Sequence, residues 1–176
     1  MACYNSFALH KAALIACGII PQHGSVNLQD ILRRLGGGIY ISTRVCNVPK
    51  GSGLGTSSIL EGAAVKAIGE FLGEDWSDSV LYQRVLNLEQ IMSTGGGWQD
   101  QVGGLTPGVK YITTKPGMKQ EIKVEHIELD EATKAELQER FALIYTGQRR
   151  LARNLLRYVV GGYIGGRPES IEALEE

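Results

Sequence analysis

The chain is poor in cysteine, in net charge and in long hydrophobic runs, and each shortage removes a class of function. Its 3 cysteines, Cys3, Cys17 and Cys46, are an odd set without Cys-x-x-Cys spacing. That excludes a disulfide framework and a zinc site, and it fits a reducing cytoplasm. Lys and Arg total 18 against 19 Asp and Glu, a net charge of −1. No broad field is then available to hold nucleic acid or anionic membrane, and neither is expected as a partner. The apolar stretch Ala12 to Ile20 is too short for a bilayer, and the Met1-Ala-Cys-Tyr-Asn-Ser start has no basic region. Neither a membrane span nor a signal peptide is expected. Internal repeats and low-complexity tracts are missing too.

What is present is an ordinary globular composition, 43% hydrophobic and 21% charged, with an excess of glycine (23 of 176 residues) gathered at turns. That length fits one domain, or one and the start of another, and buries about two thirds of the surface of the unfolded chain.

One glycine cluster stands out. Pro49-Lys50-Gly51-Ser52-Gly53-Leu54-Gly55-Thr56-Ser57-Ser58 lies where an alternating apolar stretch ends and a long amphipathic pattern begins. Glycines at 51, 53 and 55 permit positive φ and leave no Cβ in the way, so successive N–H groups can converge on an anion. The helix N-terminus that follows adds about half a positive charge, and the hydroxyls of Thr56, Ser57 and Ser58 can cap it, bind phosphate or ligate Mg²⁺. A P-loop is excluded because the only lysine, Lys50, precedes the glycines. A dinucleotide fingerprint is excluded because Thr56 falls where its third glycine belongs. A tight turn holding no ligand is the plain alternative.

Around this loop the periodicities predict a helix from about Ser6 to a Gly18 cap, a short helix over Asn27 to Leu35, and a half-buried strand over Ile39 to Cys46. A helix over Thr56 to Leu72 should bury Ile59, Leu60, Ala63, Ala64, Ala67, Ile68 and Phe71. Another, over Ser77 to Met92, carries Glu89 in its last turn and is ended by Gly95-Gly96-Gly97. Gly97, Trp98, Gln99, Asp100 and Gln101 then read as a loop held between glycines. A hairpin over Val109 to Thr113 and Ile122 to Leu129, a helix over Asp130 to Arg140 and a strand over Phe141 to Thr146 follow. The chain closes with a basic helix containing Arg149, Arg150, Arg153 and Arg157, interrupted at Gly161-Gly162, and a helix opening at Pro168.

The glycine cluster resembles the motif Pro-x-x-x-Gly-Leu-Gly-Ser-Ser-Ala of the GHMP kinase superfamily, named for galactokinase, homoserine, mevalonate and phosphomevalonate kinases. Pro49, Gly53, Leu54, Gly55 and Ser57 match, Thr56 is a conservative replacement, and Ser58 departs from alanine. Leu88-Glu-Gln-Ile-Met-Ser-Thr-Gly-Gly-Gly-Trp-Gln-Asp-Gln and Tyr145-Thr-Gly-Gln-Arg-Arg-Leu-Ala-Arg-Asn-Leu-Leu are similar to the L-fucose kinase branch. The resemblance implies an α+β fold, the GHMP kinase core of ribosomal protein S5 domain 2-like type. It implies an ATP-binding domain over 1–145 and the beginning of a ferredoxin-like second domain over 146–176. The family's opening strands and its closing Gly-Ala-Gly-Gly-Gly-Gly-Phe-like motif are not in these letters. A central fragment is the expectation.

Phosphoryl transfer needs anion donors, a hard oxygen ligand for Mg²⁺ and a group that takes the acceptor's proton. The resemblance puts ATP phosphates on Lys50 to Ser58, Mg²⁺ on Ser57 and Glu89, and the catalytic base at Asp100. It puts sugar contacts on Gly97 to Gln101, Arg150 and Arg153. Without it, Glu89 reads as a solvated helix residue, Asp100 as an Asx turn and the arginines as a basic face. The implied reaction is ATP plus L-fucose giving L-fucose 1-phosphate, on the salvage route to GDP-fucose, with a pyrophosphorylase domain as fused or associated partner. The alternatives are a related sugar or heptose-phosphate kinase and a non-catalytic nucleotide-binding fragment.

Overall fold

A computed structural model describes residues 7–49, 52–93, 96–117, 120–147 and 152–175, the side chains of 152–156 excepted. The elements run α1 (Ala8–Ala16), α2 (Leu28–Leu35), α3 (Thr56–Phe71), α4 (Asp78–Met92), α5 (Gln99–Leu105), β1 (Lys110–Thr114), β2 (Ile122–His126), α6 (Glu131–Arg140), α7 (Ala152–Ile164) and α8 (Pro168–Glu175). This mixed content is compatible with an α+β fold.

The local signals act as their chemistry requires. Asn27 caps α2, its side chain accepting from the Gln29 N–H at 2.9 Å, and Gly36 ends it at φ 73. Asp130 caps α6 by accepting from the Thr133 N–H. β1 and β2 pair antiparallel with Ile112 opposite Val124.

The core lies where α1, α3 and α4 meet. Ala12, Ala13, Val65, Val85 and Leu88 are fully buried there, each large side chain contributing about 1.5–3 kcal/mol on removal from water. Small residues set the helix spacing. At Gly62 a Cβ would strike the Leu105 side chain, and at Gly104 it would come within 2.5 Å of Ile59 Cγ1, so α3 and α5 are in near-backbone contact. Trp76 lies over Gly69, and the Arg84 guanidinium stacks 4.0 Å above the Trp76 ring while donating to the Ala16 carbonyl.

Several sequence expectations are corrected. Residues 39–46 form no ladder with any described segment, although the alternation survives as burial: Ile39, Ile41 and Thr43 are half-buried, and Tyr40, Ser42 and Arg44 exposed. Helix α3 supplies the surface there, and His10 Nε2 lies 3.1 Å from Thr43 Oγ1. Residues 141–146 are likewise not a strand and are exposed throughout. The buried face of α3 is rotated from the expected one, to Ser58, Glu61, Gly62, Ala64, Val65, Ile68 and Gly69, leaving Ile59 and Phe71 exposed. Close packing selects the small residues, and two polar side chains are turned inward. Ser93 at φ 56, ahead of the glycine run, caps α4. Helix α7 passes through Gly161-Gly162 and gives way at Gly165 and Gly166.

Candidate active site

The glycine loop enters α3 through a left-handed turn. Gly53 and Gly55 sit at φ 79 and 64, where a side chain would be strained, and Gly55 is the N-cap of α3 without any side-chain cap bond. The Ser52 N–H donates to the Pro49 carbonyl at 3.2 Å. Among the described residues the N–H groups of Gly53 and Gly55 have no backbone acceptor, and the Ser52 hydroxyl is buried without a partner. Donors are thus left open beside a helix N-terminus, the arrangement that attracts an anion. Lys50 and Gly51 lie outside the described residues.

The hydroxyls that follow are committed to carboxylates. Successive helical residues point about 100° apart, so Ser58 faces α4 and is buried, whereas Ser57 stays at the surface. Ser58 Oγ donates to Glu89 Oε1 at 2.8 Å, and Ser57 Oγ donates to Glu61 Oε1 at 3.2 Å, one turn along its own helix. The hydroxyl that bonds Glu89 is thus that of Ser58, the residue after the Ser57 expected to share a cation with Glu89. Glu89 is 5% exposed, which removes the solvated-face alternative. The glycine after α4 is explained by the same group, because a Cβ at Gly96 would run into Glu89 Oε2.

Glu61 was not anticipated. It is fully buried, with Oε2 unpaired among the described residues. Burial first, and the Glu89 carboxylate second, push its pKa up to about 8 against the lowering effect of the Ser57 hydroxyl. The signal in the letters is a lone glutamate inside Ile59-Leu60-Glu61-Gly62-Ala63-Ala64, four residues after a serine and therefore on its face.

Asp100 comes to this site from a third segment. Gln99 to Gln101, expected as loop, form the first turn of α5. The glycines at 103 and 104 do not break that helix, and Gly104 lets it press onto Ile59 of α3. A hydrogen bond between Tyr82 and Thr106 ties its far end to α4. The exposed Asp100 carboxylate then stands over the loop, its Cγ 3.8 Å from where a Cβ of Gly55 would be. Trp98 is half-buried, Gly97 and Gln99 are exposed, and Gln101 is buried with both amide atoms unpaired among the described residues. Arg153 lies on α7, Arg150 lies outside the described residues, and the neighbouring Arg157 reaches the Ser93 carbonyl at 3.4 Å.

The donor set suits Mg²⁺. Glu89 and Ser58 offer hard oxygens from two helices beside the open amides. No cluster of three or more His, Cys, Asp or Glu is assembled among the described residues, which matches a cation that keeps several waters and takes one or two carboxylates plus phosphate oxygens. None of the described helices is long and apolar enough to cross a membrane.

Residues 25–107 match the GHMP kinases N terminal domain. The chain is 42% identical over 160 residues to the bifunctional fucokinase/GDP-fucose pyrophosphorylase of Arabidopsis thaliana, an alignment covering 91% of this chain and 14% of that protein. It is 40% identical over 159 residues to the L-fucokinase/L-fucose-1-P guanylyltransferase of Bacteroides fragilis, covering 89% of this chain and 17% of that one. The chain thus spans less than a fifth of these curated relatives. No solved structure matches it significantly. Residues 25–107, the segment that matches the GHMP kinases N terminal domain, contain the glycine loop, both buried glutamates and Asp100, and they lie in a chain similar over most of its length to fucokinases.

Proposed function

We propose that the protein is a fucokinase-type sugar kinase that transfers the γ-phosphoryl group of ATP to L-fucose, giving L-fucose 1-phosphate. The observation that carries this reading is the placement of Asp100 over Gly55, which sets a free carboxylate beside open phosphate-binding donors. In this reading the N–H groups of Gly53 to Ser58 hold the triphosphate. Glu89, with the hydroxyls of Ser58 and Ser57, holds Mg²⁺, which when bound neutralises charge developing on the transferred group. Asp100 orients the acceptor hydroxyl and takes its proton. Trp98 walls the sugar, and Arg150 and Arg153 are its further contacts. Residues 1–145 act as the ATP-binding domain and 146–176 as the start of a ferredoxin-like second domain. A cytoplasmic location fits the same route, as does a pyrophosphorylase partner, for the two relatives are named for a pyrophosphorylase and a guanylyltransferase beside the fucokinase.

The test is Asp100→Asn, followed by ATP-dependent phosphorylation of L-fucose and by ATP binding. Binding should persist while turnover falls on the order of 10²- to 10⁴-fold, the usual contribution of a positioned general base. Near-normal turnover would remove Asp100 from the chemistry.

A further inference from the structure

Glu61 has no task in the mechanism above, yet its burial needs a reason. A fully buried carboxylate is tolerated when it is paired, hydrogen-bonded or bound to a cation. Glu61 accepts a hydrogen bond from Ser57 at Oε1 and stands at hydrogen-bonding reach of the Glu89 carboxylate, while Oε2 receives no hydrogen bond from a donor among the described residues. The strongest neighbouring charge is Glu89, which is of the same sign. Two adjacent serines thus hold two adjacent carboxylates, Ser57 on Glu61 and Ser58 on Glu89. Four oxygen-bearing groups converge at the first turns of α3, and the unpaired oxygen belongs to the innermost of them. No arginine or lysine is among the groups acting on Glu61.

We propose that Glu61 is a second carboxylate of the divalent cation site, its Oε2 supplying to the cation an oxygen beyond those of Glu89 and the serines. The proposal rests on the phosphoryl-transfer reading for the existence of that cation, and it adds a ligand that reading does not need. A cation between Glu61 and Glu89 turns a like-charge pair into a bridged one. It also explains why α3 carries a glutamate where its neighbours are small and apolar.

The experiment uses Mn²⁺ as probe, read by water proton relaxation enhancement with the whole chain and a non-hydrolysable ATP analogue, at fixed pH. Binding of the analogue without metal is measured alongside. Glu61→Gln keeps the size of the side chain and a partner for Ser57. It should weaken Mn²⁺ at least about tenfold, the lower end of what loss of even an outer-shell partner costs, while leaving metal-free analogue binding and the metal-free melting temperature in place. Glu61→Asp keeps the charge but withdraws it by one methylene, and should fall between the two. It serves as the folding-independent check should Glu61→Gln melt early. Mn²⁺ affinity unchanged in both variants, with Glu89→Gln still abolishing it, overturns the role of Glu61 alone. Failure of the unaltered chain to take up Mn²⁺ with the analogue overturns both this proposal and the reading beneath it.

Discussion

The helical layer of α1, α3, α4 and α5 and the segment from α6 through residue 147 use similar residues to opposite ends. In the first, Val65, Val85 and Leu88 are fully enclosed. In the second, Phe141, Leu143 and Ile144 are 70%, 67% and 85% exposed, and α6 buries nothing. Yet α6 has what local chemistry can give a helix: the Asp130 cap, and the pairs Lys134 with Glu131 and Arg140 with Glu136. Such pairs are worth about 0.2–0.5 kcal/mol each, and ten-residue helices are marginal in water. Local signals therefore place a helix, but only enclosure against neighbours fixes it. Ser58, Glu61 and Glu89 belong to the enclosed layer.

The largest effect expected from this contrast is on stability. Leu88→Ala should cost about 2–5 kcal/mol in urea denaturation, whereas Leu137→Ala, on the half-open face of α6, should stay within about 0.5 kcal/mol. Equal losses would break the comparison. Thiol labelling sharpens it next. Cys17 is buried against α3, and desolvation, opposed by the Arg84 charge, pushes its thiol from 9.0 up to about 11, while Cys46 is exposed. Below pH 9 the shift alone makes the Cys17 thiolate about 100-fold scarcer than that of an ordinary thiol. In a Cys3→Ser background, disulfide-exchange reagent at pH 8 should consume one thiol quickly and the second at least about 100-fold more slowly. Two fast phases would mean an open core. The smallest effect is a change of sign. Gly62→Ala forces Leu105 aside and should lose about 1–2 kcal/mol net of the gain in helix propensity. At Gly161 in α7 a Cβ meets nothing within 4 Å, so Gly161→Ala should gain about 0.5–1 kcal/mol. Thermal melts of the pair decide it.

The letters disclose elements better than they disclose partners. The starts of α2 near Asn27 and of α6 near Asp130, the glycine ends of α1 and α2, and the hairpin were readable because each is decided within a few residues. Residues 39–46 and 141–146 were misread as paired strands because alternation reports which side chains turn inward and is silent on what lies alongside. The helix at Gln99 was missed because Gly103 and Gly104 look like breakers until Gly104 is seen against Ile59 of α3. At the site, Glu89 was found through resemblance. That Ser58 rather than Ser57 hydrogen-bonds Glu89 depends on the rotation of α3, which apolar periodicity misjudged by counting Ile59 and Phe71 as core.

The close approach of Gly62 to Leu105 sets how this site can drift. Asp100 has no bond of its own to α3. It is carried at the head of α5, and the seating of α5 is decided at its tail, where Leu105 rests on Gly62 and Gly104 on Ile59. The helix is a short lever with its fulcrum at those glycines. A methyl group added at the fulcrum swings the carboxylate at the other end without touching any group proposed to meet nucleotide or sugar. Tolerance for new sequence is therefore lowest at two residues with no chemistry, and repair of a damaged site can come from a smaller side chain at position 105 or 59.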